Sequence, residues 1–146
     1  MSVINAMNVS ASGMSAQRIR MDLISSNVAN VNTTRDENGN VFKRKVAVFS
    51  EKDTTPFGRI LNSKTGAVVG SGVKVTRIME DNHTPMKVVY DPSHPDADET
   101  GYVTLPNINT VTEMTNLIDA SRAFEANVTA FNATKNMALR ALDIGK

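Results

Sequence analysis

Proline and glycine are spread very unevenly along this 146-residue chain, and that distribution restricts its architecture more than any other feature. All five prolines lie between Pro56 and Pro106, and six of the eight glycines between Gly39 and Gly101. Proline removes a backbone donor and glycine raises the entropic cost of a helix, so both interrupt regular elements. Long helices are therefore confined to the two ends, and the middle must be assembled from short strands and turns. The expected order is helix, irregular β-rich insert, helix: an α+β chain whose terminal helices pair as a coiled-coil-like hairpin. The expected divisions are 1–34 (N-terminal helix and Asn-rich segment), 35–109 (β-rich insert with a flexible loop at 51–71) and 110–146 (C-terminal helix). The first and last form one helical domain.

In the first segment Met7, Met14, Met21 and Val28 recur every seven residues, with Ile4, Ala11 and Ser25 at the intervening position. This is a heptad-like stripe. The only charges over 3–31 are Arg18, Arg20 and Asp22, and the remaining faces are Ser, Asn, Gln and Ala. A helix bathed in solvent usually carries a charged outer face. This one suits burial on several sides, and Ser10, Ser12 and Gly13 lower its stability in isolation.

In the last segment Leu117, Phe124, Phe131 and Ala138 recur every seven residues, and Val111, Met114, Ile118, Val128 and Leu142 widen the stripe. Thr110 is the expected N-cap, with Glu113 closing a capping box. Gly145 stands where a C-terminal stop is expected.

Between the helices, Asn40–Phe49 alternates in part, placing Phe42, Val46 and Val48 on one side, and follows the turn pair Asn38-Gly39. Gly72–Glu80 alternates cleanly. Met86–Tyr90 is its expected partner across an Asp81–Pro85 turn, and Gly101–Leu105 is a fourth, shorter strand.

Several kinds of chemistry find no support. Sixteen basic and fifteen acidic residues give a formal net charge of +1, so nothing draws the whole chain to nucleic acid or to an anionic membrane. The short basic run Phe42–Lys45 lacks an aromatic platform and reads as a strand with its basic side chains in water or against an acidic partner. Without cysteine there is no disulfide, thiolate or Cys-zinc chemistry. Asp36–Asn40 fails as a calcium loop, because the required Gly and Glu positions hold Val41 and Ala47. His94–Glu99 gathers one imidazole and three carboxylates, but a solvated acidic turn explains it better than a metal site. No phosphate loop, nucleophile elbow or paired helical histidines occur. The reading is of a non-enzyme with no cofactor, no nucleic acid and no membrane insertion. The N-terminus lacks the basic start and continuous apolar core of a secretory signal.

The stretch Ser25–Thr34, SSNVANVNTT, ends the first helix with Asn27, Asn30 and Asn32, whose amides donate and accept together, and with the thin, packable Val28 and Ala29. It is built for close contact. Followed by FKRK, it resembles the N-terminal signature of the bacterial flagellar axial proteins of rod and hook. Glu113–Lys146 is similar to that family's C-terminal helix, with Asn116, Ser121, Arg122, Glu125, Ala126 and Asn127 in characteristic places. Val89–Ile108 and the short overall length resemble the proximal-rod members.

The resemblance implies a structural subunit that polymerises through its terminal helices into the torque-transmitting shaft of the flagellum. The β-rich insert would then brace neighbouring subunits. The implied partners are other rod proteins, copies of this chain, the base anchoring the rod to the inner-membrane ring, and the flagellar type III export apparatus. The implied place is the periplasmic rod of the basal body, reached without a cleaved signal. The implied interface comprises Met7, Met14, Met21, Asn27, Val28, Ala29, Asn30, Asn32 and Thr33 from the first segment. The last segment would contribute Leu117, Ile118, Arg122, Phe124, Asn127, Phe131, Ala138 and Leu142. Two rival readings stand beside it: a self-contained helical-hairpin binding module, and a metal-dependent hydrolase using His83, His94, Asp96 and Asp98.

Overall fold

The computed structural model describes residues 3–36, 39–52, 60, 64 and 70–144. Helix α1 spans Val3–Ala29, strands β1 to β4 span Lys45–Glu51, Val73–Glu80, Lys87–Tyr90 and Tyr102–Leu105, and helix α2 spans Thr110–Ile144. The architecture is α+β, with two long terminal helices around a small β-rich insert. The serines of α1 do not break it, because Ser10, Ser12 and Ser15 donate to the carbonyls of Ala6, Val9 and Ala11 one turn back.

Helix α2 begins differently from expectation. The N-cap is Asn109, whose Oδ1 accepts from the backbone N–H groups of Val111 and Thr112 at 3.0 and 3.3 Å. Thr110 is already the first helical residue, and Glu113 does not reach back to close a box: its carboxylate is drawn into a buried ion pair instead. Gly145 lies outside the described residues.

The strands form two antiparallel pairs, β1 with β2 and β3 with β4. The expected β2–β3 hairpin does not form. The turn between them is held by other segments: Asp81 N–H donates to the Arg44 carbonyl at 2.8 Å, and Asn107 Nδ2 donates to the carbonyls of Asp81 and Thr84 at 2.8 and 3.1 Å. The chain is thereby sent away from β2 and towards β4. Residues 40–44 are not strand, and Val46 is exposed rather than turned inward with Phe42 and Val48. The alternation of β2 is also interrupted, because Val48 pairs with Arg77 and Phe49 with Val75, leaving Thr76 as a bulge. Gly39, with φ +79°, donates to the Asp36 carbonyl at 2.7 Å and makes the described part of the expected turn. Its neighbour Asn38 is outside the described residues, as is most of the expected loop 51–71. At that loop's edges Glu51 completes β1 and Lys52 N–H donates to the Gly72 carbonyl.

The helices run antiparallel. Asn27 meets Glu113 at one end of the pair, and Gly13 meets Asn127 further along. A Cβ at Gly13 would lie 2.7 Å from Asn127 Oδ1, so any larger residue there would displace the Asn127 amide. The same offset puts Val3, the first described residue, level with Met137. The β1–β2 pair is pinned to α1 where Val73 N–H donates to Ser12 Oγ at 3.1 Å. Gly72, at φ +96°, leaves room for that hydroxyl.

Little is enclosed. Among the described residues the buried apolar side chains are Ala16, Ile24, Val103, Ile108 and Ala120. The chain presents 10325 Å² to solvent, against about 7,300 Å² for a compact monomer of its mass.

Candidate assembly surfaces and the polar junction behind them

The best-defined constellation is a polar junction where four separated segments meet, around the buried Asn27 and Glu113. Asn27, 1 % exposed, uses its amide as a strand would: Oδ1 accepts from Lys45 N–H and Nδ2 donates to the Lys45 carbonyl, both at 2.9 Å. Nδ2 also donates to Glu113 Oε2 at 3.1 Å. Glu113, likewise 1 % exposed, receives Arg44 Nε and Nη2 on Oε1 at 2.9 and 2.8 Å. Arg44 N–H donates to Asn107 Oδ1 at 2.9 Å, and the Arg44 guanidinium stands 3.8 Å from Asp81. A carboxylate buried this deeply is tolerated only when paired and hydrogen-bonded, and both oxygens of Glu113 are. The junction binds the end of α1, the run before β1, the 81–84 turn and the stretch from Asn107 into the start of α2. Its members serve structure, and nothing in their arrangement presents a nucleophile to solvent.

The acidic segment 91–99 is a set of turn caps. Asp91 accepts from the Ser93 hydroxyl and N–H, and Asp98 from the Thr100 hydroxyl and the N–H groups of Thr100 and Tyr102. The Ser93 and Thr100 hydroxyls, with those backbone donors, hold the two carboxyls below the ordinary value of 3.8. Asp96 reaches across to the Asn-rich stretch, taking Thr34 Oγ1 at 2.6 Å and Arg35 Nε at 2.8 Å. His94 Nδ1 accepts from Asp96 N–H at 3.1 Å. His83 lies in the 81–84 turn, where its N–H donates to Asp81. Among the described residues no three of these side chains converge on a common point. No described helix is long and apolar enough to cross a membrane.

The residues singled out in the sequence fall into three settings. Asn27 is enclosed in the junction. Asn30 closes the end of α1, with Nδ2 on the Ser26 carbonyl at 2.8 Å and Oδ1 accepting Thr33 Oγ1 at 3.2 Å. Met7, Met14, Met21 and Val28 are half-buried. They lie about a third of a turn round α1 from Ala16, Ile24 and Asn27, counting ~3.6 residues per turn, so the methionine stripe is not the enclosed seam. On α2, Leu117, Phe124, Phe131 and Ala138 are half-buried and share the side of Glu113 and Asn127, which meet α1. Ala29, Asn32, Ile118, Arg122 and Leu142 are exposed, Ile118 at 53 % and Leu142 at 70 %. Val111, Met114 and Ile118 form an outward apolar face on α2, continued by Arg122 and Glu125.

Sequence reasoning missed Arg44, Asn107, Glu113 and Asn109 as the junction and cap. The available signal was an acid and an amide at apolar-flanked helix positions. No periodicity links Asn27 to residues so far along the chain.

A family model described as flagella basal body rod protein matches residues 7–35, and one described as flagellar basal body rod FlgEFG protein C-terminal matches residues 99–144. The chain is similar to the flagellar basal-body rod protein FlgC of Bacillus subtilis strain 168, at 45 % identity covering 100 % of both chains. It is 41 % identical to that of Borreliella burgdorferi, covering 99 % of this chain and 98 % of the relative. It is 40 % identical to that of Aquifex aeolicus, covering 100 % and 99 %. With identity of this degree running from end to end of relatives that share one description, the chain belongs to the FlgC family of flagellar basal-body rod proteins.

Proposed function

We propose that this chain is a structural subunit of the proximal rod that polymerises through the uncovered faces of α1 and α2 into the drive shaft between motor and hook. The observation that carries the reading is the surface of the helices. Ile4, Val111, Met114, Ile118, Met137, Leu139 and Leu142 are exposed along a hairpin that encloses few apolar side chains. Apolar area of this extent on a stable monomer marks contact surfaces, and many identical head-to-tail contacts generate an open helix rather than a closed ring.

The interface comprises the half-buried Met7, Met14, Met21, Val28, Thr33, Leu117, Phe124, Asn127, Phe131 and Ala138, with Ala29, Asn32, Ile118, Arg122 and Leu142 at its exposed margins. Asn27 and Asn30 shape the end of α1 for it. The partners are copies of this chain, other rod proteins and the base that anchors the rod to the inner-membrane ring. The chain reaches the periplasmic rod through the flagellar type III apparatus, and a helix pair with so small a core is suited to travelling unfolded. No catalytic role follows, because the polar residues that converge are tied to one another.

Deleting the chain in its source bacterium should abolish swimming and leave purified basal bodies without a complete rod. Complete rods in the deletion strain would overturn the proposal.

A further inference from the structure

Every strand of a two-stranded sheet is an edge, and an edge presents alternate N–H and C=O groups that a further strand can bond. Three of the four edges here are taken up in part by the chain itself. Asn27 bonds both backbone groups of Lys45 on β1. Ser12 Oγ accepts from Val73 at the start of β2, and Asp98 bonds both backbone groups of Tyr102 on β4. Two stretches stay open. Asp81 N–H donates to the Arg44 carbonyl, and that sets the ladder so that Ile78 and Glu80 turn their backbone groups away from β1. Asp91 N–H donates to the Gly101 carbonyl, which likewise turns those of Val88 and Tyr90 away from β4. No described residue bonds these outward groups. Both stretches are exposed, Val88 at 58 % and Tyr90 at 63 %.

The two stretches fit each other. Laid antiparallel with Tyr90 opposite Ile78, they set Val89 against Met79, Asp91 against Arg77 and, at the far end, Lys87 against Asp81. Opposite charges stand at both ends and apolar side chains meet between them. Arg77 has no partner among the described residues, and Ser93 uses only Oδ1 of Asp91, leaving Oδ2 to receive it. Within one chain the pairing does not form, because Asn107 holds the 81–84 turn and β3 goes to β4.

We propose that β2 of one copy pairs edge to edge with β3 of the next, joining the two ribbons into a four-stranded sheet across the boundary between subunits. This rests on the rod-subunit reading and names one contact of the insert within it. Self-pairing of β3, or of β2, would match charges as well, but it is two-fold and turns one copy against the other. Copies in a shaft with unlike ends all point the same way, which selects the heterologous pairing.

The absence of native cysteine gives a clean test on the full-length chain. In this register residues 79 and 89 form a non-hydrogen-bonded pair with Cα atoms about 4.5 Å apart, inside the disulfide limit of about 7 Å. Size-tagged Met79→Cys protein is mixed with untagged Val89→Cys protein at concentrations where the wild type associates, and then oxidised. The expected product is the tagged–untagged pair, in excess over either homodimer. Self-pairing of β3 would give Val89→Cys homodimers and self-pairing of β2 Met79→Cys homodimers, and a majority of either overturns the proposal. In parallel, Val88→Pro deletes an outward donor but no bond to β4. Sedimentation should show its association weakened roughly tenfold, with the tyrosine fluorescence of the monomer unchanged. Association equal to wild type would also overturn the contact. If wild-type copies polymerise in that same experiment, only this contact falls. If they fail to associate at any concentration, the rod-subunit reading falls with it.

Discussion

The two ends of the helix hairpin differ in what holds them. At the insert end, Asn27, Arg44, Asn107 and Glu113 interlock four segments through short, directional hydrogen bonds around the buried Glu113. At the open end, α1 from Val3 to Gly13 and α2 from Asn127 to Ile144 carry exposed Ile4, Met137, Leu139 and Leu142, and Gly13 packs against Asn127. The insert end is tied by the chain's own polar groups, whereas the open end has no such network among the described residues. The lesson is that a subunit of this kind separates specification from cohesion. The polar junction sets which segments meet, while, on the rod-subunit proposal, the apolar area of the helices is covered by neighbours.

That contrast breaks first at Glu113. Glu113→Ala leaves Arg44 and Asn27 facing each other without their shared acceptor in a buried site, and should cost about 3 kcal/mol, read as a lower urea midpoint of the dilute chain. Asn27→Ala removes the amide that mimics a strand partner for Lys45 and should cost about 2 kcal/mol. In that variant β1 should lose amide protection before α2 does.

Acid sharpens the comparison from the insert side. The hydroxyls of Thr84, Ser93 and Thr100, with neighbouring backbone N–H groups, hold Asp81, Asp91 and Asp98 below the ordinary value of 3.8. Carboxyls depressed in the folded state stabilise it at any pH above 3.8, and that contribution is lost as pH falls through their folded values. The β3–β4 pair should therefore persist through mild acid and loosen only below 3.8. Tyr90 and Tyr102, packed edge to face at 5.2 Å and the only tyrosines in a chain without tryptophan, report this directly by fluorescence. A smaller effect is expected at the open end. Gly13→Ala should change stability little, because the helix-propensity gain is offset by displacement of Asn127. Combined with Asn127→Ala it should gain up to about 1 kcal/mol, a coupling visible in a double-mutant cycle.

Much of this was legible in the residues. The partition of proline and glycine placed both long helices, and the alternation of Gly72–Glu80 placed β2. The strand pairing was not legible, because it depends on the 81–84 turn being tied to Arg44 and Asn107, contacts that span up to 63 residues of sequence. The cap was misplaced by one residue for a related reason: Glu113 looks like the second half of a capping box until Arg44 is present to claim it. The basic run before β1 concealed the same fact, since one of its cations, the half-buried Arg44, is paired with a buried acid. The histidine and carboxylates of 91–99 are likewise explained by turns whose bonds a linear reading does not display.

Segment-resolved amide hydrogen exchange on the dilute, full-length chain tests the central claim most directly. The account predicts slow exchange around the junction, at Ile24–Asn27, Lys45 and Glu113–Ala120. It predicts fast exchange over residues 3–13 and 127–144, becoming slow when copies assemble. Uniformly strong protection along both helices in the monomer would show that the hairpin closes its own core, and would contradict it.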